Sequence, residues 1–298
     1  MTDKPDIQAG FAALIGRPNV GKSTLLNALV GQKLSIVTPR PQTTRHRVLG
    51  ILHRPGLQIA FVDTPGLHLG ARRSLNKLMN KSAVAAALDA DVVVWVVEAL
   101  RLQSDDELAL KRALAAGRPV IAVVNKVDQV KPRNLLLPFI ADLAQRAEFV
   151  DIVPLSAAKG DNLEPLVAAI AKHLPSSPPL FPDEMVTDRD LKFRIAEIIR
   201  EKLTLQLNQE LPYGIAVEIE LLEREPERWV AAAVIWVDRE GQKPIVIGKA
   251  GEGLKRVGTA ARRELVHVTG VRFHLTLWVK VREGWADDAR ALKSLGLE

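Results

Sequence analysis

Short apolar runs alternate with stretches of helical periodicity over roughly the first 175 residues of this 298-residue chain. The runs are rich in valine and isoleucine, which favour strands, and they are too short for buried helices. They comprise Phe11 to Ile15, Val48 to Leu52, Leu57 to Val62, Val92 to Val97, Val120 to Val124 and Asp151 to Leu155. Most of the stretches between them carry apolar residues three or four positions apart. The pattern predicts an α/β domain with a mostly parallel sheet and helices on both faces.

The order of elements changes after a proline-rich stretch, PSSPPLFP, at residues 175 to 182. Beyond it the pattern predicts a helix over 191–207, strands over 215–222 and 229–237, a helix over 253–269 and a strand over 273–281. Such an order is typical of an α+β domain. We therefore expect a first domain over 8–175, a stiff proline-rich linker over 176–188 and a second domain over 189–298.

The segment after the first apolar run fits the pattern G-x-x-x-x-G-K-[ST]. It reads Gly16-Arg17-Pro18-Asn19-Val20-Gly21-Lys22-Ser23 and precedes a helix-like stretch. A strand before and a helix after distinguish a phosphate-binding loop from an ordinary glycine turn. Its glycines allow backbone N–H groups to face a polyphosphate, Lys22 neutralises phosphate oxygens, and the Ser23 hydroxyl is suited to Mg²⁺.

A second motif, Asp63-Thr64-Pro65-Gly66, directly follows the apolar run that ends at Val62. A carboxylate at this strand end can hold the Mg²⁺ shell, and the Gly66 N–H can face the γ-phosphate. D-x-x-G occurs in many turns and is weak alone. Its position downstream of the phosphate loop makes it a strong signal.

The segment Asn125-Lys126-Val127-Asp128 indicates which base is bound. The carboxylate of Asp128 can accept hydrogen bonds from N1–H and the 2-amino group of guanine, whereas adenine offers neither donor. Lys126 can cover the base with its aliphatic stem, and Asn125 can brace the loops. After the next strand, Ser156-Ala157-Ala158 supplies backbone N–H groups for guanine O6.

Charge is distributed unevenly, although the net charge is only +6. No acidic residue occurs from Ile7 to Val62, which suits a polyanion near the first loop. A second basic stretch runs from Lys243 to Arg282 and is typical of a nucleic-acid-binding face or a solvated surface. The chain has no cysteine, no apolar run long enough to span a bilayer and no apolar signal segment near Met1, so we expect a cytoplasmic protein.

The second basic stretch contains a G-x-x-G motif, Gly248-Lys249-Ala250-Gly251, preceded by Ile247. The cations Lys255, Arg256 and Arg262 follow on the predicted helix. Glycines at a helix N-terminus allow backbone approach to phosphates, here those of single-stranded RNA. The surrounding order, helix–strand–strand–helix–helix–strand, matches a KH module of the prokaryotic type.

With these motifs in order, the chain resembles the Era family of bacterial GTPases over nearly its whole length. The resemblance is carried by the phosphate loop with Thr24-Leu25-Leu26-Asn27, by Gln42-Thr43-Thr44-Arg45-His46-Arg47, by Asp63 to His68, by Asn125 to Asp128 and by Gly284-Trp285-Ala286-Asp287-Asp288. It implies a GTPase that binds 16S rRNA near its 3′ end and assists assembly of the 30S subunit. It also implies peripheral association with the inner membrane, and we expect a monomer.

The same resemblance assigns roles in hydrolysis. It implies that Lys22, Thr43, Thr44, Asp63 and Gly66 form the catalytic set, with Mg²⁺ bound by Ser23, Asp63 and one of the two threonines. The sequence leaves open which threonine this is. Leu67 follows the D-x-x-G motif where Ras-like enzymes carry the glutamine that orients water, so slow intrinsic turnover is expected. In relatives with the Gly-Arg-Pro-Asn pattern, the residue corresponding to Asn19 helps to bind a monovalent cation, which makes K⁺ a candidate second cofactor.

Three other interpretations remain open. An ATP-using P-loop kinase or helicase would not need Asn125 to Asp128. A tRNA-modifying GTPase shares the Gly-Arg-Pro-Asn pattern and the threonine pair, but its chemistry uses a cofactor domain and often a cysteine, and this chain shows neither. An RNA-binding protein with a relict nucleotide site would not need Lys22, Ser23 and Asp63 intact.

Overall fold

The computed structural model describes residues 6–67, 74–207 and 211–295. These residues form two compact units. The first contains residues 6–35, 44–67 and 77–188, and the second contains residues 36–43, 74–76 and those described from 189 onwards. Each unit has a hydrophobic core of its own. No helix in the described part of the chain is long and apolar enough to cross a membrane.

The first unit is built on one sheet. Its strands are β1 (Ile7–Ile15), β2 (Val48–Arg54), β3 (Leu57–Asp63), β4 (Val92–Glu98), β5 (Val120–Asn125), β6 (Asp151–Pro154) and β7 (Ser176–Ser177). They lie in the order β2-β3-β1-β4-β5-β6, and β7 pairs with β1. The strands β3, β1, β4, β5 and β6 run parallel to one another, while β2 pairs with β3 and β7 pairs with β1 in the antiparallel direction. The predicted mostly parallel sheet is confirmed.

Both faces of this sheet are covered. On β4, alternate residues such as Val93 and Trp95 belong to one core cluster, and the intervening Val94 and Val96 are equally buried. A strand buried on both sides explains why the runs are continuously apolar rather than alternating. The helices along this part of the chain are α1 (Lys22–Val30), α2 (Ser74–Asp89), α3 (Ser104–Ala115), α4 (Leu136–Ala144) and α5 (Leu163–Ala171).

The proline-rich segment after α5 packs along the first unit. The side chain of Gln58, almost fully buried, accepts hydrogen bonds from the backbone N–H groups of Leu180 (2.7 Å) and Phe181 (3.0 Å). Further along, the N–H of Ile51 donates to the carbonyl of Val186 at 2.9 Å. These bonds hold the segment against the sheet, and a hydrogen bond from the Met185 N–H to the Pro182 carbonyl at 3.0 Å closes a turn within it.

The start of α3 differs slightly from the sequence pattern. Ser104-Asp105-Asp106-Glu107 predicts a capping box that begins at Ser104, whereas the structure caps the helix one residue earlier, at Gln103. The carboxylate of Asp106 accepts a hydrogen bond from the Gln103 N–H at 2.9 Å. Asp106 is fully buried because it also binds a side chain of the phosphate loop, as described below.

The second unit confirms the predicted KH order. Its elements are α6 (Leu191–Gln206), β8 (Ile215–Arg224), β9 (Arg228–Val237), α7 (Lys243–Ile247), α8 (Glu252–Thr269), β10 (Arg272–Val281) and α9 (Ala289–Ser294). The sheet has the order β10-β9-β8, with β8 antiparallel and β10 parallel to β9. Apolar residues of α6 and α8 pack on one face of this sheet.

The tryptophan of the Gly284 to Asp288 motif anchors the chain after β10. Trp285 is fully buried, and its indole N–H donates to the carbonyl of Gly214 at 3.0 Å. Asp288 caps α9 by accepting from the Arg290 N–H at 2.9 Å. This motif therefore stabilises the end of the second unit.

Candidate functional site

The motifs of the first unit meet at one edge of its sheet because each follows the carboxyl end of a parallel strand. The phosphate loop follows β1, and Asp63 and Asn125 are the last residues of β3 and β5. The register pairs Leu14 with Asp63 at the ends of β1 and β3, and Glu98 with Asn125 at the ends of β4 and β5. The predicted residues of four separate segments are thereby brought together.

The phosphate loop depends on glycine at position 21. Gly21 has φ +101°, a conformation that L side chains rarely adopt, and a Cβ atom there would lie 2.3 Å from the Nδ2 atom of Asn125. This close approach lets the Asn125 amide donate to the Val20 carbonyl at 2.8 Å. The segment Asn125 to Asp128, called the base motif below, is therefore in direct contact with the phosphate loop.

Lys22 is buried beneath the loop. Its ammonium group donates to the carbonyls of Gly16 and Arg17, both at 2.9 Å. Burial lowers the pKa of Lys22 to about 8, although the nearby Asp63 carboxylate opposes the shift. The negative charge of a bound polyphosphate would raise this pKa again, because it favours the protonated form.

Three oxygen-bearing side chains converge beside Lys22. The Ser23 hydroxyl donates to Asp63 Oδ2 at 2.6 Å and lies 2.7 Å from the Thr44 hydroxyl, which is itself 3.4 Å from Asp63 Oδ2. Among the residues described, the buried Oδ1 atom of Asp63 has no hydrogen-bond partner. Burial raises the pKa of Asp63, while the Ser23 hydrogen bond and the Lys22 charge oppose this. Hydroxyl and carboxylate oxygens around an unsatisfied buried oxygen fit a hard cation such as Mg²⁺.

Thr43 lies elsewhere, although it is adjacent to Thr44 in the chain. It belongs to the second unit, where its hydroxyl donates to the Arg40 carbonyl at 2.7 Å and lies 2.6 Å from the Thr38 hydroxyl. Its carbonyl accepts a hydrogen bond from the Arg200 guanidinium on α6. The sequence leaves open which of the two threonines binds Mg²⁺. In the structure, their hydroxyl groups have different surroundings.

The residues after Asp63 line the phosphate loop. The buried Thr64 hydroxyl donates to the Leu14 carbonyl at 2.7 Å, and the N–H of Leu67 donates to the Gly16 carbonyl at 3.2 Å. Pro65 and Gly66 are also buried. The side chain of Leu67 packs into the core and is only 2% exposed, so it neither contacts solvent nor offers a hydrogen bond to water. His68 lies outside the described residues.

The base motif is held by its own hydrogen bonds. Asn125 Oδ1 accepts from the N–H groups of Lys126 (2.8 Å) and Ala157 (3.0 Å), and the Ser156 hydroxyl donates to Asp128 Oδ1 at 2.6 Å. None of these hydrogen bonds uses the second carboxylate oxygen of Asp128, which could therefore accept from a ligand. The Val127 N–H donates to the carbonyl of Leu155, the residue after β6, at 3.3 Å, and Ala158 is exposed beside the motif.

The sequence motifs did not include two carboxylates that bind Arg17. Its Nε atom donates to Asp106 Oδ2 at 2.9 Å, and its Nη2 atom donates to Glu98 Oε2 at 3.1 Å. Glu98 also accepts from the Lys126 ammonium group at 2.9 Å. The sequence offered one indication of this role: Glu98 is the single charged residue of β4 and stands at its end, after an apolar run.

The G-x-x-G motif joins α7 to α8 in the second unit. Gly248 has φ +75°, and a Cβ atom there would lie 2.7 Å from the backbone nitrogen of Gly253. Lys249 and Ala250 are exposed at the turn, whereas Ile247 packs partly against the core. A side chain at position 248 would therefore push apart the backbone where the helix begins.

The cations around this turn face solvent. Lys249, Lys255, Arg256 and Arg263 are exposed, and none has an acidic partner in the part of the chain that the structure describes. Arg262 donates only weakly, at 3.4 Å, to the Gly258 carbonyl and the Thr259 hydroxyl of its own helix. An exposed basic helix without neutralising carboxylates attracts a polyanion.

Taken together, the fold and these sites define a P-loop GTPase unit followed by a KH unit. Residues 11–126 match the family model for 50S ribosome-binding GTPases, and residues 210–286 match that for KH domains. The chain is 50% identical over 295 residues to GTPase Era of Marinobacter nauticus, covering 99% of this chain and 97% of that protein. It is 46% identical over 296 residues to GTPase Era of Pseudomonas fluorescens, with 99% of each covered. The chain belongs to the Era family, whose members hydrolyse GTP.

Two solved structures resemble the whole chain. One is a tyrosine-to-alanine variant of Aquifex aeolicus Era bound to GDP·AlF4⁻, and the other is Era in complex with MgGDPNP and nucleotides 1506–1542 of 16S ribosomal RNA. Each has a TM-score of 0.94 and 40% identity, and covers 98% of this chain and 99% of its own.

Proposed function

We propose that this chain binds single-stranded 16S rRNA near its 3′ end through the KH unit and uses GTP to control that contact during assembly of the 30S subunit. The observation that carries the proposal is the similarity over 98% of the chain to Era bound to MgGDPNP and a 16S rRNA fragment. The exposed cations Lys249, Lys255 and Arg256 support it because they leave a positive surface beside the G-x-x-G turn. In this proposal residues 8–175 form the GTPase domain, 176–188 the linker and 189–298 the RNA-binding domain.

In the RNA-binding site, the backbone at Gly248 to Gly251 approaches the phosphates of the RNA. Lys249, Lys255, Arg256 and Arg262 neutralise the strand on either side of the turn. Ile247 contributes apolar surface beneath the bases. Sequence is then read on the bases, whereas affinity and its salt dependence come mainly from the cations.

In the nucleotide site, backbone N–H groups of residues 16 to 23 surround the phosphates, and Lys22 neutralises the β and γ oxygens. Ser23, Thr44 and Asp63 would hold Mg²⁺, which when bound offsets the charge that develops on the phosphates. Gly66 presents its N–H to the γ-phosphate. Asp128 accepts from both guanine donors, Lys126 covers the base, and Ala158 contributes an N–H group near guanine O6.

The attacking water needs a partner other than position 67, because Leu67 is apolar and buried. We propose that K⁺ near Asn19 supplies positive charge during transfer. Asn19 is exposed in the phosphate loop with φ 64°, so its side chain is presented at the surface of the loop. We also propose that the protein works as a cytoplasmic monomer and that its contact with the inner membrane is peripheral.

The RNA assignment is tested by crosslinking the GTP-bound protein to total RNA and sequencing the adducts. We expect reads concentrated at the 3′ end of 16S rRNA and lost when Lys249 and Arg256 are both replaced by alanine. Lys172→Ala on the first unit is the matched control because it removes a cation remote from the G-x-x-G motif in sequence. Reads spread evenly over all RNAs, or concentrated on tRNA, would overturn the proposal.

A further inference from the structure

The last residue of β4, Glu98, binds two motifs of the nucleotide site at once. Its Oε2 atom accepts from Arg17 Nη2 of the phosphate loop at 3.1 Å and from Lys126 Nζ of the base motif at 2.9 Å. Its Oε1 atom accepts from Arg101 at 3.2 Å. The side chain is only 11% exposed, so these contacts are poorly screened by water.

On the phosphate side, Glu98 acts on a rigidly held arginine. Arg17 is 7% exposed, and its Nε atom binds the fully buried Asp106 at the start of α3. The carbonyl of the same arginine accepts from the Lys22 ammonium group at 2.9 Å. A shift of Arg17 would therefore displace a group that orients the phosphate-binding lysine.

On the base side, Glu98 fixes the end of a flexible side chain. The backbone of Lys126 is left-handed, with φ 65°, and its N–H is bound to Asn125. A lysine has four rotatable side-chain bonds, and binding of its ammonium group restricts rotation about them. With both ends fixed, the stem is ordered before a base arrives.

The carboxylate of Glu98 also balances charge. Burial alone raises the pKa of Glu98, but hydrogen bonds and charges from Lys126 and Arg17 outweigh this and lower its pKa. Glu98 is therefore ionised between two cations. Without it, Lys126 would lose the carboxylate that holds its ammonium group, and Arg17 would keep only Asp106 as an acidic partner.

We propose that Glu98 is a positioning residue that couples the phosphate and base subsites for a guanine nucleotide, acting through Arg17 and Lys126 without contacting the ligand. This inference rests on the proposed role of Lys126 over the base. It predicts that both halves of the nucleotide are bound less tightly when the shared carboxylate is lost.

The principal test compares Glu98→Gln with Arg101→Ala by GDP titration. E98Q removes the charge that Arg17, Lys126 and Arg101 share, whereas R101A removes only the ion pair with Arg101, whose side chain is 66% exposed and belongs to neither motif. We expect E98Q to weaken GDP binding about tenfold or more, since a buried charged hydrogen bond is lost. R101A should stay within about twofold of the unmodified protein, as exposed pairs contribute little. Equal effects of the two variants would overturn the proposal.

A double-mutant cycle separates positioning from general destabilisation. If Glu98 acts on the base through Lys126, adding E98Q to Lys126→Met should weaken GDP binding less than E98Q does alone. Fully multiplicative losses would contradict the coupling. Should K126M itself bind GDP normally, the base assignment under the proposed function fails, which is a different outcome from failure of the Glu98 role.

Inorganic pyrophosphate probes the phosphate half alone. Competition against a fluorescent GDP analogue should show weaker pyrophosphate binding in E98Q and unchanged binding in K126M. Unchanged pyrophosphate binding in both variants would remove the link to Arg17. If E98Q melts below the assay temperature, Glu98→Asp repeats the cycle, because it keeps the charge and withdraws the carboxylate by one methylene.

Discussion

The hydroxyl groups of Thr44 and Ser23 lie 2.7 Å apart, and both are within 3.4 Å of the same oxygen of Asp63. The neighbouring Thr43 instead binds Arg40 and Thr38. We therefore expect Thr44 to be the threonine of the Mg²⁺ site, because its hydroxyl, unlike that of Thr43, lies beside Ser23 and Asp63.

Thr44→Ala should therefore impair Mg²⁺-dependent GTP hydrolysis more than Thr43→Ala does. We expect T44A to lower kcat by about 10- to 100-fold, in the range seen when the surroundings of a metal lose a polar partner. T43A is the matched control, since it removes the same group one residue away. Single-turnover hydrolysis at several Mg²⁺ concentrations measures the difference, and an equal loss in both variants would argue against the assignment.

Asp128→Asn should shift preference from guanine to xanthine nucleotides. The new amide can donate to the 2-oxo group of xanthine but no longer accepts both guanine donors, so we expect GTP affinity to fall by about 100-fold or more. Affinities for GTP and XTP, measured by the same titration, decide the point. Ser156→Ala is a useful companion, because it removes only the hydroxyl that holds Asp128 and should weaken GTP binding without creating XTP preference.

Binding of nucleotide should become weaker as the pH rises above about 8. The pKa of Lys22 is about 8 in the free protein because of burial, and phosphate oxygens favour its charged form. Binding must therefore take up a proton once free Lys22 begins to lose its own. Calorimetry at pH 8 in buffers of different ionisation enthalpy measures this uptake.

Lys22→Arg provides the control for that experiment, because arginine keeps its charge throughout the range. The variant should bind less tightly at neutral pH and show no proton uptake at pH 8. Absence of proton uptake in the unmodified protein would show that Lys22 is fully protonated before nucleotide arrives.

Replacing Gly248 and Gly251 with aspartate should weaken RNA binding and leave GTP affinity nearly unchanged. At position 248 the added carboxylate would repel phosphate and press on the nitrogen of Gly253. Lys249→Ala should weaken binding across sequences and reduce the salt slope by about 0.7 to 1. Filter binding at several salt concentrations separates the two effects, and RNA affinity insensitive to all three changes would remove the turn from the binding surface.

Turnover should be faster in K⁺ than in Na⁺ at equal ionic strength if a cation near Asn19 replaces the missing glutamine. Positive charge at the phosphates stabilises the transition state in the way an arginine finger does. Asn19→Ala should abolish the difference while sparing nucleotide affinity. Equal rates in the two salts would point to an RNA or ribosomal partner as the source of the catalytic group.

Much of the nucleotide site was predictable because its motifs are local. Gly16 to Ser23 and Asn125 to Asp128 each combine a turn with the side chains that act there, and strand periodicity places both at one sheet edge. The contacts of Glu98 and Asp106 were not predictable. Each joins Arg17 across more than 80 positions of the chain, and no local pattern records such a pairing.

The sequence by itself determined which chemistry this protein carries, since residue types such as Lys22, Asp63 and Asp128 define the groups offered to phosphate, metal and base. The pattern of apolar residues also determined where strands and helices occur along the chain. A strand buried on both faces is apolar at every position, whereas a helix is apolar every three or four residues. Tertiary structure gave Thr43 and Thr44 different hydrogen-bond partners, and it placed Leu67 in the core and Glu98 between two cations. Those outcomes depend on distances between segments remote in sequence, which are set only when the sheet and its loops pack together.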